Sequence, residues 1–243
     1  MDLTVLGCSG SYPGPECPCS GYLVQEGEFN VLIDLGPGCL ASLQRHIPLD
    51  SVSAVVLSHS HADHWSDLAG FHVASRYRYE RSGIPVWGTA ETYEIASLIP
   101  GNLEPTFEWN ITGDGDQFAI GPLRFTLEQT DHYVETHAMR IESLHGGSMV
   151  YSADTGPEWS IEKLGSGVDL ALVEATYGTD AEAEGMKHLS ARAAGDMAKA
   201  AGAKRCVLTH FWPESDLSVH VRNGESAYGS PVAIASPHER YQL

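Results

Sequence analysis

The sequence predicts a four-layer α/β fold, an αββα sandwich in which two sheets pack face to face with helices outside. Three observations lead there. Short apolar strands alternate with helical segments through the first hundred or so residues, consecutive strands broken by turn signals run from 106 to 152, and a second strand–helix block ends near 210. Two mixed blocks flanking a meander place one sheet on each side of a shared core. At 243 residues, one domain over 1–243 is the natural expectation.

The elements follow in order. A strand at about 2–6 leads into a Gly/Pro/Cys-rich loop over 7–20, and further strands lie near Gly21–Gln25 and Asn30–Asp34. Asn30-Val31-Leu32-Ile33-Asp34 is apolar and β-branched, as a buried strand should be. Gly36-Pro37-Gly38 opens a short helix carrying Leu40 and Leu43. Ser53–Ser58 is the clearest central strand, and the pattern after it predicts a helix from about Trp65 to Tyr79. Pro85–Gly88 is a strand, Thr89 to about Leu98 a helix, and turns fall at Gly113-Asp114-Gly115, Gly121-Pro122 and Gly146-Gly147. Leu170–Glu174 is another buried strand. Ser190–Ala201 is a helix with Ser190 as N-cap and Gly202 as stop, and Arg205–Thr209 is a strand ending at His210. The segment from Glu214 to Leu243 carries no clear pattern; His220, Arg222, Tyr228 and His238 are its candidate pocket residues.

Charge narrows the partners. Fourteen Lys and Arg against 32 Asp and Glu leave a formal −18, and the densest basic stretch, Arg76 to Arg81, is short. A protein that grips nucleic acid by its backbone needs a basic stripe, so a large nucleic acid is disfavoured. A small anion is not, because bound metal ions reverse the local field. The five cysteines, Cys8, Cys17, Cys19, Cys39 and Cys206, are odd in number and read as free thiols of a reducing compartment. One residue between Cys17 and Cys19 is poor spacing for closed zinc chelation. With no basic-then-apolar opening and no apolar run of about 20 residues, a cytoplasmic location and no membrane partner are the expectation.

The chemistry concentrates in His59-Ser60-His61-Ala62-Asp63-His64, directly after the best strand. Four donors in six residues cannot all face one ion, but His59 and His61 can face one while Asp63 and His64 face another. Neutral imidazoles with carboxylates suit zinc and leave room for water. A lone histidine at a strand end is usually incidental; this spacing is not.

The segment resembles the signature loop of the metallo-β-lactamase superfamily, and further motifs of that family occur in order along nearly the whole chain. Asp34, in Leu32-Ile33-Asp34-Leu35-Gly36, resembles the carboxylate that supports the ligand loop from behind. His132, in Thr130-Asp131-His132, resembles the third histidine, with His137 competing for the role. Asp154, in Tyr151-Ser152-Ala153-Asp154-Thr155-Gly156, resembles the bridging carboxylate, and His210 the last ligand. The resemblance implies the metallo-β-lactamase fold and two divalent ions: His59, His61 and His132 on one, Asp63, His64 and His210 on the other, Asp154 shared. Oxygen-reducing di-iron relatives carry a carboxylate where His61 stands, so His61 favours zinc, or manganese, over redox iron.

Glu174-Ala175-Thr176 and His188-Leu189-Ser190 resemble motifs of the phosphodiesterase branch, whose best known members are ribonuclease Z enzymes. There the histidine protonates the leaving oxygen and the glutamate orients it, an acid the poor alkoxide leaving group needs. The chain departs from ribonuclease Z at Val173 and Leu189, and it lacks a basic tRNA-gripping arm. Val5 to Ser11 and Ser42 to His46 resemble bacterial members described as atypical cyclic-nucleotide phosphodiesterases. The implied activity is hydrolysis of a small anionic phosphodiester, 3′,5′-cyclic AMP foremost, by a hydroxide bridging two metals. Asp63 accepts a hydrogen bond from that hydroxide and His188, held by Glu174, supplies the proton. Alternatives are tRNA 3′ processing, carboxylic ester, thioester or lactone hydrolysis on the same ions, and a non-catalytic metal sensor. The aromatics Trp65, Phe71, Tyr77 and Tyr79 are open to base stacking or packing, with packing favoured for Phe71; homodimerisation through this region is implied by the resemblance.

Overall fold

The computed structural model describes residues 1–98 and 103–243. Among these residues the strands form two seven-stranded sheets. In the first, β1 (Asp2–Gly7), β2 (Gly21–Glu26) and β3 (Phe29–Leu35) run antiparallel, and β4 (Ala54–Val56), β5 (Ile84–Gly88) and β6 (Phe107–Ile111) add in parallel to β3. The second repeats the plan. β7 (Gln117–Ile120), β8 (Leu123–Gln129), β9 (His137–Ser143) and β10 (Ser148–Tyr151) are antiparallel, and β11 (Leu170–Glu174), β12 (Cys206–Thr209) and β13 (Ala233–Ile234) continue in parallel. The last strand, β14 (Arg240–Gln242), returns to pair with β1.

Period-two alternation sorts the side chains into layers. On β3, Val31 and Ile33 enter the core between the sheets, where Phe125, Met139, Ile141 and Leu172 of the second sheet meet them. Leu32 and Leu35 join the outer core with Leu43 of α1 (Cys39–Leu43) and Leu68 and Phe71 of α3 (Leu68–Val73). On β11, Ala171 and Val173 face Ala191, Ala194 and Ala198 of α6 (Ala191–Ala200). Helix, sheet, sheet, helix is the predicted order of layers. Each fully buried Leu, Ile or Phe contributes roughly 1.5–3 kcal/mol, and such side chains from both sheets fill the inter-sheet layer. Tyr22 on β2 reinforces it through a 2.7 Å hydrogen bond to Thr209 on β12.

Three sequence expectations change. The helix expected over Trp65–Tyr79 is broken: α2 (Ala62–Trp65) stops, α3 starts afresh, and Ala74–Arg78 winds with a wider π turn. The break has a tertiary cause, since the Asp67 amide donates to the Leu35 carbonyl (3.1 Å) and its carboxylate accepts from the Leu40 amide (2.8 Å). Phe71 is buried as expected, whereas Tyr77 is exposed. The first strand of the expected meander, β6, instead completes the first sheet. The unpatterned tail forms α7 (Leu217–Tyr228), β13 and β14. Helix α4 (Ala90–Ala96) is capped by Thr89 and lies within its expected span. Among the described residues no helix is long and apolar enough to cross a membrane.

Gly36 lets the β3 end approach the metal-loop helix. A Cβ there would intrude on the Asp63 backbone carbonyl and come within 2.8 Å of Cys19 Cβ. Gly36→Ala is expected to lower stability by about 1–3 kcal/mol, the usual cost of overpacking, read from the midpoint of urea unfolding; an unchanged midpoint would show that α2 yields freely.

Candidate metal centre

The histidines and carboxylates predicted from sequence converge at one edge of the sandwich, where β3, β4, β10, β11 and β12 end. Carboxyl ends of parallel strands are where such sheets open a crevice. Asp34 follows Ile33 on β3, the 57–64 loop follows β4, Asp154 follows β10, Glu174 ends β11 and His210 follows β12. Asp34, Ala153 and His210 hold left-handed backbone, with φ of 55°, 50° and 63°. Non-glycine residues pay for that conformation, and such strain collects at functional sites. Gly10 walls the cluster, since a Cβ there would stand 2.8 Å from the His210 ring.

Donor atoms of His59, His61, His132 and Asp154 lie within 4.8 Å of one another, and so do those of Asp63, His64 and His210. Asp154 lies between the groups: its Oδ2 is 3.6 Å from His59 Nε2 and 3.7 Å from His132 Nε2, while its Oδ1 is 3.3 Å from His64 Nε2 and 3.4 Å from His210 Nε2. A third group joins Asp154 and His210 with His188. His137 is elsewhere, its ring between Thr112 and Glu135, which resolves the competition with His132.

The partners behind the rings set the tautomers. Asp34 is fully buried and accepts from the Ser58 amide (2.8 Å), the Ser58 hydroxyl (2.8 Å), the Tyr151 hydroxyl (2.9 Å) and His64 Nδ1–H (2.7 Å). Having given its proton to Asp34, the Ser58 oxygen accepts from His59 Nδ1–H at 2.9 Å. Thr176 works alike: its hydroxyl donates to Glu174 Oε2 (2.8 Å) and accepts from His210 Nδ1–H (2.9 Å). His132 Nδ1–H donates to the Lys187 carbonyl at 3.1 Å. Four imidazoles therefore turn an Nε2 lone pair to the centre, the outer partner fixing each ring as it does in metal sites. His61 presents Nδ1, 3.1 Å from His132 Nε2.

Electrostatics agree with a cation. Burial and the neighbouring His64 hold His59 well below the ordinary imidazole range, and burial holds His132 down at about 4, so both rings are neutral donors. Burial opposes ionisation of Asp154, but His210 and His64 overcome it and keep the carboxyl ionised. Burial likewise opposes a charge on His64, and Asp154, Asp63 and Asp34 reverse that, calling for positive charge where its Nε2 points. A metal ion supplies that charge in place of a proton. His59 Nε2, His64 Nε2 and Asp154 Oδ1 are buried and have no hydrogen-bond partner within the protein. Orphaned buried polar atoms cost about 1–3 kcal/mol each, and these three, one in each group of donors and one on the carboxylate between them, fit divalent metal binding.

Ser58, Thr176, Tyr151 and the Ser11 amide, which donates to Asp63 Oδ2 at 2.7 Å, are the participants to which sequence reasoning gave no role of their own. Ser58 and Thr176 had a signal, since Ser58 adjoins the 59–64 motif and Thr176 lies inside the Glu174-Ala175-Thr176 motif. Tyr151 and Ser11 had none, because contacts across 117 and 52 residues leave no local pattern.

Residues 29–211 match the family model described as a beta-lactamase superfamily domain. An uncharacterized protein of Mycobacterium tuberculosis is 34% identical over 99% of this chain and 92% of its own. The probable metallo-hydrolase YhfI of Bacillus subtilis is 32% identical over 87% of each, and its crystal structure superposes with a TM-score of 0.90 over 99% of this chain and 98% of that one, at 27% identity. A ribonuclease Z of Mycobacterium bovis is 26% identical over 88% of this chain and 86% of its own. Fold, ligand-competent cluster and relatives lead to one conclusion: the chain belongs to the metallo-β-lactamase superfamily and is a metal-dependent hydrolase.

Proposed function

We propose that the chain hydrolyses a small phosphodiester, with a 3′,5′-cyclic nucleotide, cyclic AMP foremost, as substrate. The observation that carries this reading is the pair at the rim of the cluster, where His188 Nδ1–H donates to Glu174 Oε1 at 2.8 Å. Glu174 is fully buried and also accepts from the amides of Thr155 (3.0 Å), Thr176 (3.1 Å) and Leu189 (3.1 Å). Those donors pin the carboxylate, which pins the ring, and Nε2 is left to meet a substrate. Burial pulls the His188 pKa down, yet Glu174 and Asp154 raise it to about 9, which favours the protonated ring. A protonated imidazole beside the cluster is what a phosphodiester needs, because its alkoxide leaves only with a proton. Hydrolysis of a carboxylic ester makes a weaker demand.

Divalent metal ions, zinc or manganese, would be held by His59, His61, His132 and Asp154 and by Asp63, His64, His210 and Asp154, and would supply a nucleophilic water and a polarised phosphoryl oxygen. Asp63, fixed by the Ser11 amide, would accept a hydrogen bond from that nucleophile. A cavity of about 520 Å³ shares Thr176 with the site and is walled by Tyr177, Trp212 and Glu214. That volume suits a small organic ligand, and its aromatics suit a base. The formal charge of −18 argues for a small substrate over an RNA. The ribonuclease Z relative keeps tRNA 3′ processing as the second reading.

Metal-loaded protein is expected to cleave bis-p-nitrophenyl phosphate and cyclic AMP and to lose both activities to a chelator. Cleavage of the first without any cyclic nucleotide removes the cyclic-nucleotide assignment, and cleavage of precursor tRNA favours the second reading. His188→Ala should lower kcat about 10²–10⁴-fold on an alkoxide-leaving substrate, and much less on a p-nitrophenyl ester whose leaving group needs no proton. Equal losses on both would refute the proton-donor role. The acid form of His188 exists below its pKa and disappears as pH rises through it. Because Glu174 raises that pKa, Glu174→Gln should move the alkaline limb of the kcat profile to lower pH; an unmoved limb assigns it to another group.

A further inference from the structure

We infer that Cys8 and Cys17 form an oxidisable dithiol that takes a hydroperoxide and closes to a disulfide, clamping the loop that walls the metal centre. The sulfurs lie 3.4 Å apart. The backbone brings them together: the amides of Cys8 and Ser9 both donate to the Pro18 carbonyl at 3.0 Å, and the Ser9 hydroxyl donates to the Cys17 carbonyl at 3.1 Å. Neither thiol belongs to the metal cluster. A disulfide needs about 2.05 Å between sulfurs, so the pair closes with a small shift of side chains already facing each other.

The two thiols have the unequal character that such chemistry uses. Cys8 is buried, while Cys17 is half-buried and reachable. The hydrogen bond from Cys8 chiefly, with help from Ser9 and against burial, holds the Cys17 thiol down at about 6. The same bond, together with burial, pushes Cys8 far up. Cys17 is thus the attacking thiolate and Cys8 the resolving thiol. The Cys17 sulfur attacks the terminal oxygen of the hydroperoxide, the O–O bond breaks, and the departing alkoxide or hydroxide takes a proton, leaving Cys17 as sulfenic acid. Cys8 sulfur then attacks Cys17 sulfur, the S–O bond breaks, and hydroxide leaves as water with the Cys8 proton. Two thiols lose two electrons and two protons, and the peroxide is reduced to an alcohol, or water, plus water.

The closed loop would run from Cys8 to Cys17. Within it, the Ser11 amide holds Asp63 Oδ2 at 2.7 Å and Gly10 lies against the His210 ring. Oxidation is therefore felt at the second group of donors, Asp63, His64 and His210.

The test uses the full chain treated with stoichiometric hydrogen peroxide, alkylated without reductant, and cut after glutamate. Cleavage at Glu16 separates the two cysteines, so a bond between them appears as two linked peptides that dithiothreitol releases. The expected result is that link in the parent protein and in Cys19→Ser, and its loss in Cys17→Ser and in Cys8→Ala. A link that survives in Cys17→Ser, or sulfinic acid on Cys17 with no link, overturns the inference. The second reading is zinc titration of reduced and oxidised protein, where a several-fold difference in affinity confined to one of two sites is expected. Equal affinities at both sites overturn the coupling to the metal centre.

Discussion

Everything at the active edge depends on burying the Asp34 carboxylate between the two sheets. A buried charge is tolerated only when hydrogen bonds replace its water. Here four donors from two sides of the sandwich converge on two oxygens: Ser58 twice and His64 from the first sheet's loop, Tyr151 from β10 of the second. Each donor is spent on a task beyond solvation. The Ser58 amide fixes where the ligand loop leaves β4, the hydroxyl orients His59, His64 is locked in one tautomer, and Tyr151 ties the facing sheet to the loop. Removing one partner of such a buried cluster commonly costs roughly 3–5 kcal/mol. The metal site and the register of the two sheets are thus one construction.

Glu174 and Thr176 repeat the device on the second sheet. Like Ser58, Thr176 donates a hydrogen bond outward to a buried carboxylate and accepts one from a ligand histidine. Glu174 also holds His188, so the same carboxylate that steadies His210 through Thr176 directly fixes the ring proposed as proton donor. This coupling explains why a glutamate, an alanine and a threonine sit together at the end of β11. Ala175 is fully buried and joins the core against α6, while its two neighbours face the site.

An acidic protein acting on an anion is no contradiction at this range. Asp63 and Asp154 bring two negative charges to the centre, where a bound divalent ion would dominate its surroundings. Apart from the buried Asp34 and Glu174, the remaining acidic side chains among the described residues reach the surface, where salt screens them within about 10 Å. Acidity of this kind acts most strongly against long polyanions, in keeping with the small substrate proposed.

Sequence by itself determined the layers and the donor set. Apolar alternation is local, so strands such as Asn30–Asp34 and Leu170–Glu174 show themselves, and a strand that ends in His, Asp or Glu announces a site at its carboxyl end. The six-residue loop at 59–64 was legible for the same reason, since its donors are neighbours in the chain. Tertiary structure alone decided what depends on contacts between distant segments: that β6 joins the first sheet, that Asp67 breaks the helix expected over 65–79, that the tail supplies α7 and β14, and that His132 turns to the centre while His137 turns away. It also decided the roles of Ser58, Thr176 and Tyr151, because a hydroxyl becomes a relay only when the fold places an acceptor on one side of it and an imidazole on the other.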